Sequence, residues 1–238
     1  MSNEPTILVA GLADPAHAAD LQRMADEARR VIVLAAPLQV SGGRLAGATA
    51  LDFTSYLEWE PVLEACRASA RPGDLVLFRE HQLRHEATAE AVRTLGLRAV
   101  ALDADVSHDD VPARIAARIE SLQKSTTMEA YALDLFTDVH ASWDYFQREA
   151  GPDALGPAAL RKIGERFPLV LSADVSAANI RQVASFPGVR GILLTCDEVA
   201  PSYPAHRHVS SFESISAALH ALWGLSPILE ASPSPSSP

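Results

Sequence analysis

Short apolar runs alternate with amphipathic stretches along the whole chain, and the two periods predict two kinds of element. The runs fall at 6–10, 31–36, 48–53, 74–79, 98–103, 130–135, 168–173 and 191–195. Most are continuous rather than alternating (VIVLAA, LVLF, GILLT), the pattern of strands buried on both faces of a parallel sheet. Between them, 16–30, 58–69, 86–95, 111–122, 158–167, 177–186 and 212–223 read as helices. Leu21, Met24, Ala25 and Ala28 make one such stripe, and Trp59, Val62, Leu63 and Cys66 another. Asp14, Asp109 and Ser176 stand where N-caps belong, and Gly96 where a helix should stop. Each strand–helix step takes roughly 25 to 30 residues, so eight steps match the size of a (β/α)8 TIM barrel. A doubly wound open sheet shows the same alternation. The barrel is preferred because eight strands close and no G-x-G-x-x-G follows the first strand.

The spacing breaks in two places. PLQVSGGRLAG at 37–47 is too short and glycine-rich for a crossover helix, so the helix between strands two and three should be reduced or missing. The flank it leaves bare is to be covered by the loop itself or by another chain, a homo-oligomer being one such arrangement. The connection at 137–156 is long, and long loops after barrel strands often carry function. Residues 1–225 then form one domain, and the Ser/Pro-rich 226–238 a disordered tail.

Lys and Arg number 20 against 30 Asp and Glu, a net charge of −10 that repels phosphate backbones and anionic lipid. The arginines are scattered, so a nucleic-acid partner is not expected. No apolar stretch approaches the roughly 18 residues of a membrane span. Two cysteines, Cys66 and Cys196, make no bridge framework. With no basic, apolar leader before Thr6, the expectation is a cytoplasmic protein acting on a small-molecule substrate.

Four segments carry a family resemblance. ILVAGLADPAHAADL (7–21) is similar to the first strand and turn of phosphoribosylanthranilate isomerases. AYALDL (130–135) resembles their sixth strand, PLVLSADVSAANIRQV (168–183) the seventh-strand segment, and GVRGILLTCDE (188–198) the eighth. The resemblance implies a barrel that performs an Amadori rearrangement, opening an aminoribose phosphate ring and moving a proton. It makes Asp134 the general acid. The family's basic cysteine falls on Ala10, which cannot titrate. The family's phosphate-binding Gly-Gly is Ala173-Asp174 here, and its Ser-Ser-Gly is Thr195-Cys196-Asp197. Ser176, Thr195 and the amides after Ser176 remain as anion donors, Arg44 matches the family's arginine after strand two, and Cys196 is a candidate displaced base.

Independently of the resemblance, Asp52, Arg79, Glu80, His81, Asp103, Asp105, Asp134, Asp138, Asp174, Asp197 and Glu198 lie at or just after strand ends, which in a barrel converge on one face. Such a crowd of carboxylates suits general acids and a cationic substrate or divalent metal better than bare phosphate. The plainer reading is that many cap helices or face outward; Arg79 and Glu80, being adjacent, cannot both face the axis. Asp174, Ser176, Thr195, Arg44 and Arg79 are the candidate substrate-binding residues. His206 and His208, with Asp138 or His140, could hold a metal, although a polar loop explains them better; His81 and His85 are weaker still. Trp143 and Tyr145 suit a loop's own small core better than a lid over a planar ligand. No P-loop, dinucleotide fingerprint or nucleophile triad is present, so no cofactor is expected. Three functions stay open: an acid–base isomerase, a barrel kept only as a binding or scaffold partner, and a metal-assisted hydrolase or lyase.

Overall fold

The computed structural model describes residues 5–37, 45–54, 58–103, 112–135, 143–148, 155–199 and 208–225. Its strands are β1 (Thr6–Ala10), β2 (Ile32–Pro37), β3 (Ala50–Asp52), β4 (Leu75–Arg79), β5 (Arg98–Asp103), β6 (Met128–Asp134), β7 (Leu169–Ser172), β8 (Val189–Cys196) and β9 (Val209–Ser210). The helices are α1 (Pro15–Ala28), α2 (Trp59–Ser69), α3 (Glu80–Leu83), α4 (Glu86–Leu95), α5 (Pro112–Ser125), α6 (Trp143–Arg148), α7 (Pro157–Arg166), α8 (Ile180–Ala184) and α9 (Phe212–Trp223). Strands β1 to β8 pair in sequence order, all parallel, and β8 pairs back to β1 from Thr6↔Gly191 to Ala10↔Thr195. The sheet is a closed (β/α)8 barrel, so the open doubly wound alternative is excluded.

Side chains alternate across each strand and form two separate cores. Leu8, Ala10, Ala35, Ala50, Leu77, Val100, Ala132, Val170 and Leu193 pack on one another inside the cylinder. Their neighbours, among them Val9, Leu34, Leu51, Phe78, Leu133, Leu171 and Leu194, face outward and join the helices in the larger core. Burial on both faces is what the continuous apolar runs encode. The inner set contains four alanines, small enough to pack in layers across the narrow bore.

Asp14 caps α1 through a bond accepted from the Ala16 amide, and Gly96 ends α4 in the left-handed region. Asp109 lies outside the described residues. The 177–186 helix shrinks to α8, and Ser176 caps the turn ahead of it instead: its Oγ accepts the Ala178 amide at 3.3 Å, while Asn179 Oδ1 accepts the Ser176 amide and Asn179 Nδ2 donates to the Asp174 carbonyl. Between β2 and β3 no helix occurs among the described residues, and Leu45 and Ala48 pack on the outer core there. Residues 38–44 and the 226–238 tail lie outside the described residues. Trp143 is buried against Phe146 and Phe186 in a small aromatic cluster, so it belongs to the core of its own connection. Among the described residues no helix is long and apolar enough to cross a membrane.

The seam between β8 and β1 carries a polar clasp at its upper end. Glu198, just past β8, accepts the Ala13 and Asp14 amides at 2.7 Å each, and its other oxygen lies 2.5 Å from His17 Nδ1. His17 stacks on Phe212 with ring centroids 3.7 Å apart. The bond to Glu198 raises the His17 pKa; burial opposes it, and the charges of Glu198, Asp14 and Glu213 add to it. Burial pushes Glu198 upward, but the two amides and His17 outweigh that and hold it below the usual carboxylate value. Gly11 fits under the clasp because its φ is +74° and a Cβ would lie 2.3 Å from the Cys196 carbonyl oxygen. Gly164 of α7 meets Gly188 as closely: a Cβ there would fall 2.3 Å from the Gly188 carbonyl oxygen.

Two outcomes are expected. Gly164→Ala should destabilise the chain by about 1–3 kcal/mol, because the obstacle is backbone and α7 must shift; denaturant unfolding measures it. The clasp should be strongest between about pH 4.5 and 6.5. His17, raised on folding, contributes fully below its unfolded value and loses its contribution as pH rises through the folded one. Glu198, lowered on folding, contributes above its unfolded value and loses its contribution as pH falls through the folded one. The stability difference between wild type and Glu198→Gln should therefore peak in that window; a difference constant with pH would contradict the pairing.

Candidate active site at the barrel mouth

Alternation determines which polar side chains enter the bore. Asp52 follows inward Ala50 by two residues, Arg79 follows Leu77, Asp134 follows Ala132, Ser172 follows Val170 and Thr195 follows Leu193. All five therefore face the axis at the C-terminal ends of their strands, the end where barrel enzymes build their sites. Ala10 completes the ring without a titratable group. The structure thus brings Asp134, Arg79 and Thr195 together, and adds Asp52 and Ser172.

Asp134 is fully buried and stands in register with Ser172 across β6 and β7. His208 Nε2 lies 3.2 Å from its Oδ1 and 3.0 Å from the Leu135 carbonyl oxygen. The hydroxyls of Ser172 and Thr195 are buried and find no hydrogen-bond partner among the described residues. Both face the mouth, and each can donate one hydrogen bond and accept others there. Asp52 accepts the Thr54 amide at 2.9 Å and its hydroxyl at 2.6 Å. Arg79 donates from Nε to the Thr54 carbonyl, so its guanidinium is anchored to the β3 exit. Its backbone amide is held by Gln82 Oε1 at the start of α3, while Gln82 Nε2 bonds the Phe53 carbonyl.

His208 reaches this ring because of β9. Thr195 pairs with Ala10 along one edge and with Val209 along the other. The β9 strand therefore lies on the β7 side of β8, above the point where β7 ends at Ser172. The loops after strands seven and eight are where many barrels bind phosphate, and here the chain's own backbone takes that edge.

Several expectations are corrected by the geometry. Cys196 belongs to the outer core, on the opposite face of β8 from Thr195, and burial pushes its thiol up to about 12. The nearby Glu198 and Asp197 carboxylates oppose its ionisation further, although a backbone bond at Glu198 works the other way. It cannot serve as a base in the pit. Asp174 is exposed on the β7–α8 loop, and Ser176 is exposed in the turn closed by Asn179; neither joins the ring. Because α8 has only five residues, the expected N-terminal amide cradle after Ser176 is absent from that helix. Glu80 turns outward to Arg118 and Arg84, as its adjacency to Arg79 requires. Asp197 is exposed and Glu198 is spent in the clasp. His81 is exposed, and His85 stacks on Trp59. Arg44, Asp105, Asp138, His140, His206 and the Asp103 side chain lie outside the described residues. Among the described residues no three His, Cys, Asp or Glu side chains gather as metal ligands.

Comparison with known proteins bears on the architecture. No family model and no curated protein sequence matches the chain. Among solved structures it is similar to a phosphoribosyl anthranilate isomerase from Thermococcus kodakaraensis, with TM-score 0.56 and 12% identity over 91% of this chain and 97% of that one. It is also similar to a truncated 3-deoxy-D-arabino-heptulosonate 7-phosphate synthase from Thermotoga maritima, with TM-score 0.55 and 10% identity over 94% of this chain and 87% of that one. At such identities the likeness speaks for the fold alone: the chain is a closed (β/α)8 barrel, the architecture that these solved enzymes share.

Proposed function

We propose that the chain is an acid–base isomerase working on a small sugar-derived metabolite at the C-terminal mouth of the barrel. The observation that carries this reading is the buried Asp134, facing the axis beside two inward hydroxyls, Ser172 and Thr195, that lack partners among the described residues. An aldose-to-ketose or Amadori step needs one group to move a proton at carbon and others to hold the oxygens. Asp134 anchors the first role. Ser172 and Thr195 supply hydrogen bonds to substrate hydroxyls, and Arg79, fixed by Thr54, contributes positive charge at the rim.

The substrate is one that brings hydroxyls rather than phosphate. The edge of β8 nearest β7 is occupied by β9, and the amides of Ala13 and Asp14 are occupied by Glu198. A phosphate would have to displace one or the other. A small-molecule substrate, a cytoplasmic setting and a place in amino-acid-related metabolism belong to this same proposal, as does a homo-oligomer that would cover the β2–β3 flank.

A second reading is supported by Ala10: with no titratable group where the resembled family has its base, the barrel would survive as a binding or scaffold partner. The two are separated by proton exchange. Incubated in D2O with a panel of unphosphorylated and phosphorylated aldoses and N-glycosylamines, the wild-type chain should incorporate deuterium at C2 of at least one compound, followed by proton NMR. Asp134→Asn should reduce that rate by about 100-fold or more while keeping the wild-type melting temperature within a few degrees. Undiminished exchange in that variant would remove Asp134 from the chemistry. No exchange in wild type, with no compound raising its melting temperature, would favour the scaffold.

A further inference from the structure

We infer that His208 is the catalytic residue that exchanges the proton with substrate, and that Asp134 is a positioning residue acting through it. This deepens the acid–base reading above and rests on it. Of the two side chains, Asp134 has no exposed surface, whereas His208 retains 7%. Of the pair, only the imidazole has surface left to meet a substrate.

The ring's tautomer follows from its neighbours. A carbonyl oxygen only accepts, so His208 Nε2, at 3.0 Å from the Leu135 carbonyl, must carry a proton. In the neutral ring the lone pair then belongs to Nδ1, the nitrogen that can take a proton from carbon. The Asp134 Oδ1 lies 3.2 Å from the same Nε2, so both contacts fall on that nitrogen rather than on Nδ1. The ring is held on a rigid support, because the next two residues are strand β9, bonded to β8 at Thr195 and Cys196. The Asp197 amide donates to the Ser210 carbonyl at 3.1 Å and extends that support. A base absent at Ala10 on β1 is thus supplied from the far edge of β8.

The step balances without a further reactant. Nδ1 takes the proton from C2 of an open-chain aldose, the C2–H electron pair forms a C1–C2 double bond, and the carbonyl oxygen takes the proton of the C2 hydroxyl, giving an enediolate with its charge on the C2 oxygen. The imidazolium then returns its proton to C1 as the C2 oxygen re-forms a carbonyl, leaving the ketose. An N-glycosylamine, once its ring has opened to the imine, follows the same course with nitrogen in place of the C1 oxygen.

Two measurements on the full chain test the inference. Long-range proton–nitrogen correlation spectra of histidine-labelled protein should find His208 in the Nε2–H tautomer, and Asp134→Asn should move its nitrogen shifts. The Nδ1–H tautomer would overturn the assignment. In the deuterium-exchange assay, on whichever panel compound wild type exchanges, His208→Gln should cut kcat by about 100-fold or more. Its KM should change only a few-fold. Activity retained in His208→Gln overturns the inference alone, whereas silence of wild type across the panel overturns the acid–base reading and this inference with it. Because His208→Gln could loosen β9, its melting temperature is read alongside, and the wild-type tautomer decides the geometry independently of any variant.

Discussion

The site depends on a mismatch in strand length across the last turn of the barrel. β8 runs for eight residues, Val189–Cys196, and β7 for four, Leu169–Ser172. A buried strand edge left without backbone partners costs about as much as several lost hydrogen bonds, so the upper edge of β8 has to be covered. On one side β1 does it. On the other, once β7 has ended, residues 209–210 fold back as β9 and take over. The residue that leads into β9 is His208, and it arrives above β6 against Asp134 and the Leu135 carbonyl. One backbone requirement thereby converts a loop histidine into a fixed partner of the buried carboxylate.

Closure supplies the rest. Small inner residues let the cylinder shut, and the same alternation that buries Ala50, Leu77, Ala132, Val170 and Leu193 turns Asp52, Arg79, Asp134, Ser172 and Thr195 into one ring. Polar groups that would be scattered on an open sheet are then within reach of one small molecule. The Glu198 clasp pins the β8 exit to the start of α1, so an amide pair that could have received a foreign anion is satisfied from within. Among the described residues the mouth sets Asp134 and His208 beside the Ser172 and Thr195 hydroxyls.

Architecture was legible in the sequence to a greater extent than chemistry. Eight continuous apolar runs betray strands buried on both faces, and all eight lie in the barrel within a few residues of their expected ends. Asp134 and Thr195 could be placed at strand ends by counting. The inward turn of Ser172 follows from the same parity but is hidden by the apolar run around it. Two kinds of feature escaped. A strand of two residues such as β9 carries no period, so the role of His208 could not emerge from PAHRHV. The shortness of α8 is the other: the helical spacing at 177–186 does not reveal that its first residues form a turn, held by the Asn179 side chain on the Ser176 amide and the Asp174 carbonyl. Cys196 misled for a simpler reason: beside inward Thr195, it must face the helices.

The central claim is that β9 is a paired strand that seats His208 over the mouth, and the Asp197 amide reports on it most directly. Its residue is exposed, yet its N–H donates to the Ser210 carbonyl. Native-state hydrogen exchange followed by NMR should find this amide protected together with those of β8, exchanging orders of magnitude more slowly than an open loop. Exchange at the rate of a solvated loop amide would mean that β9 is not formed, and that nothing holds His208 to Asp134.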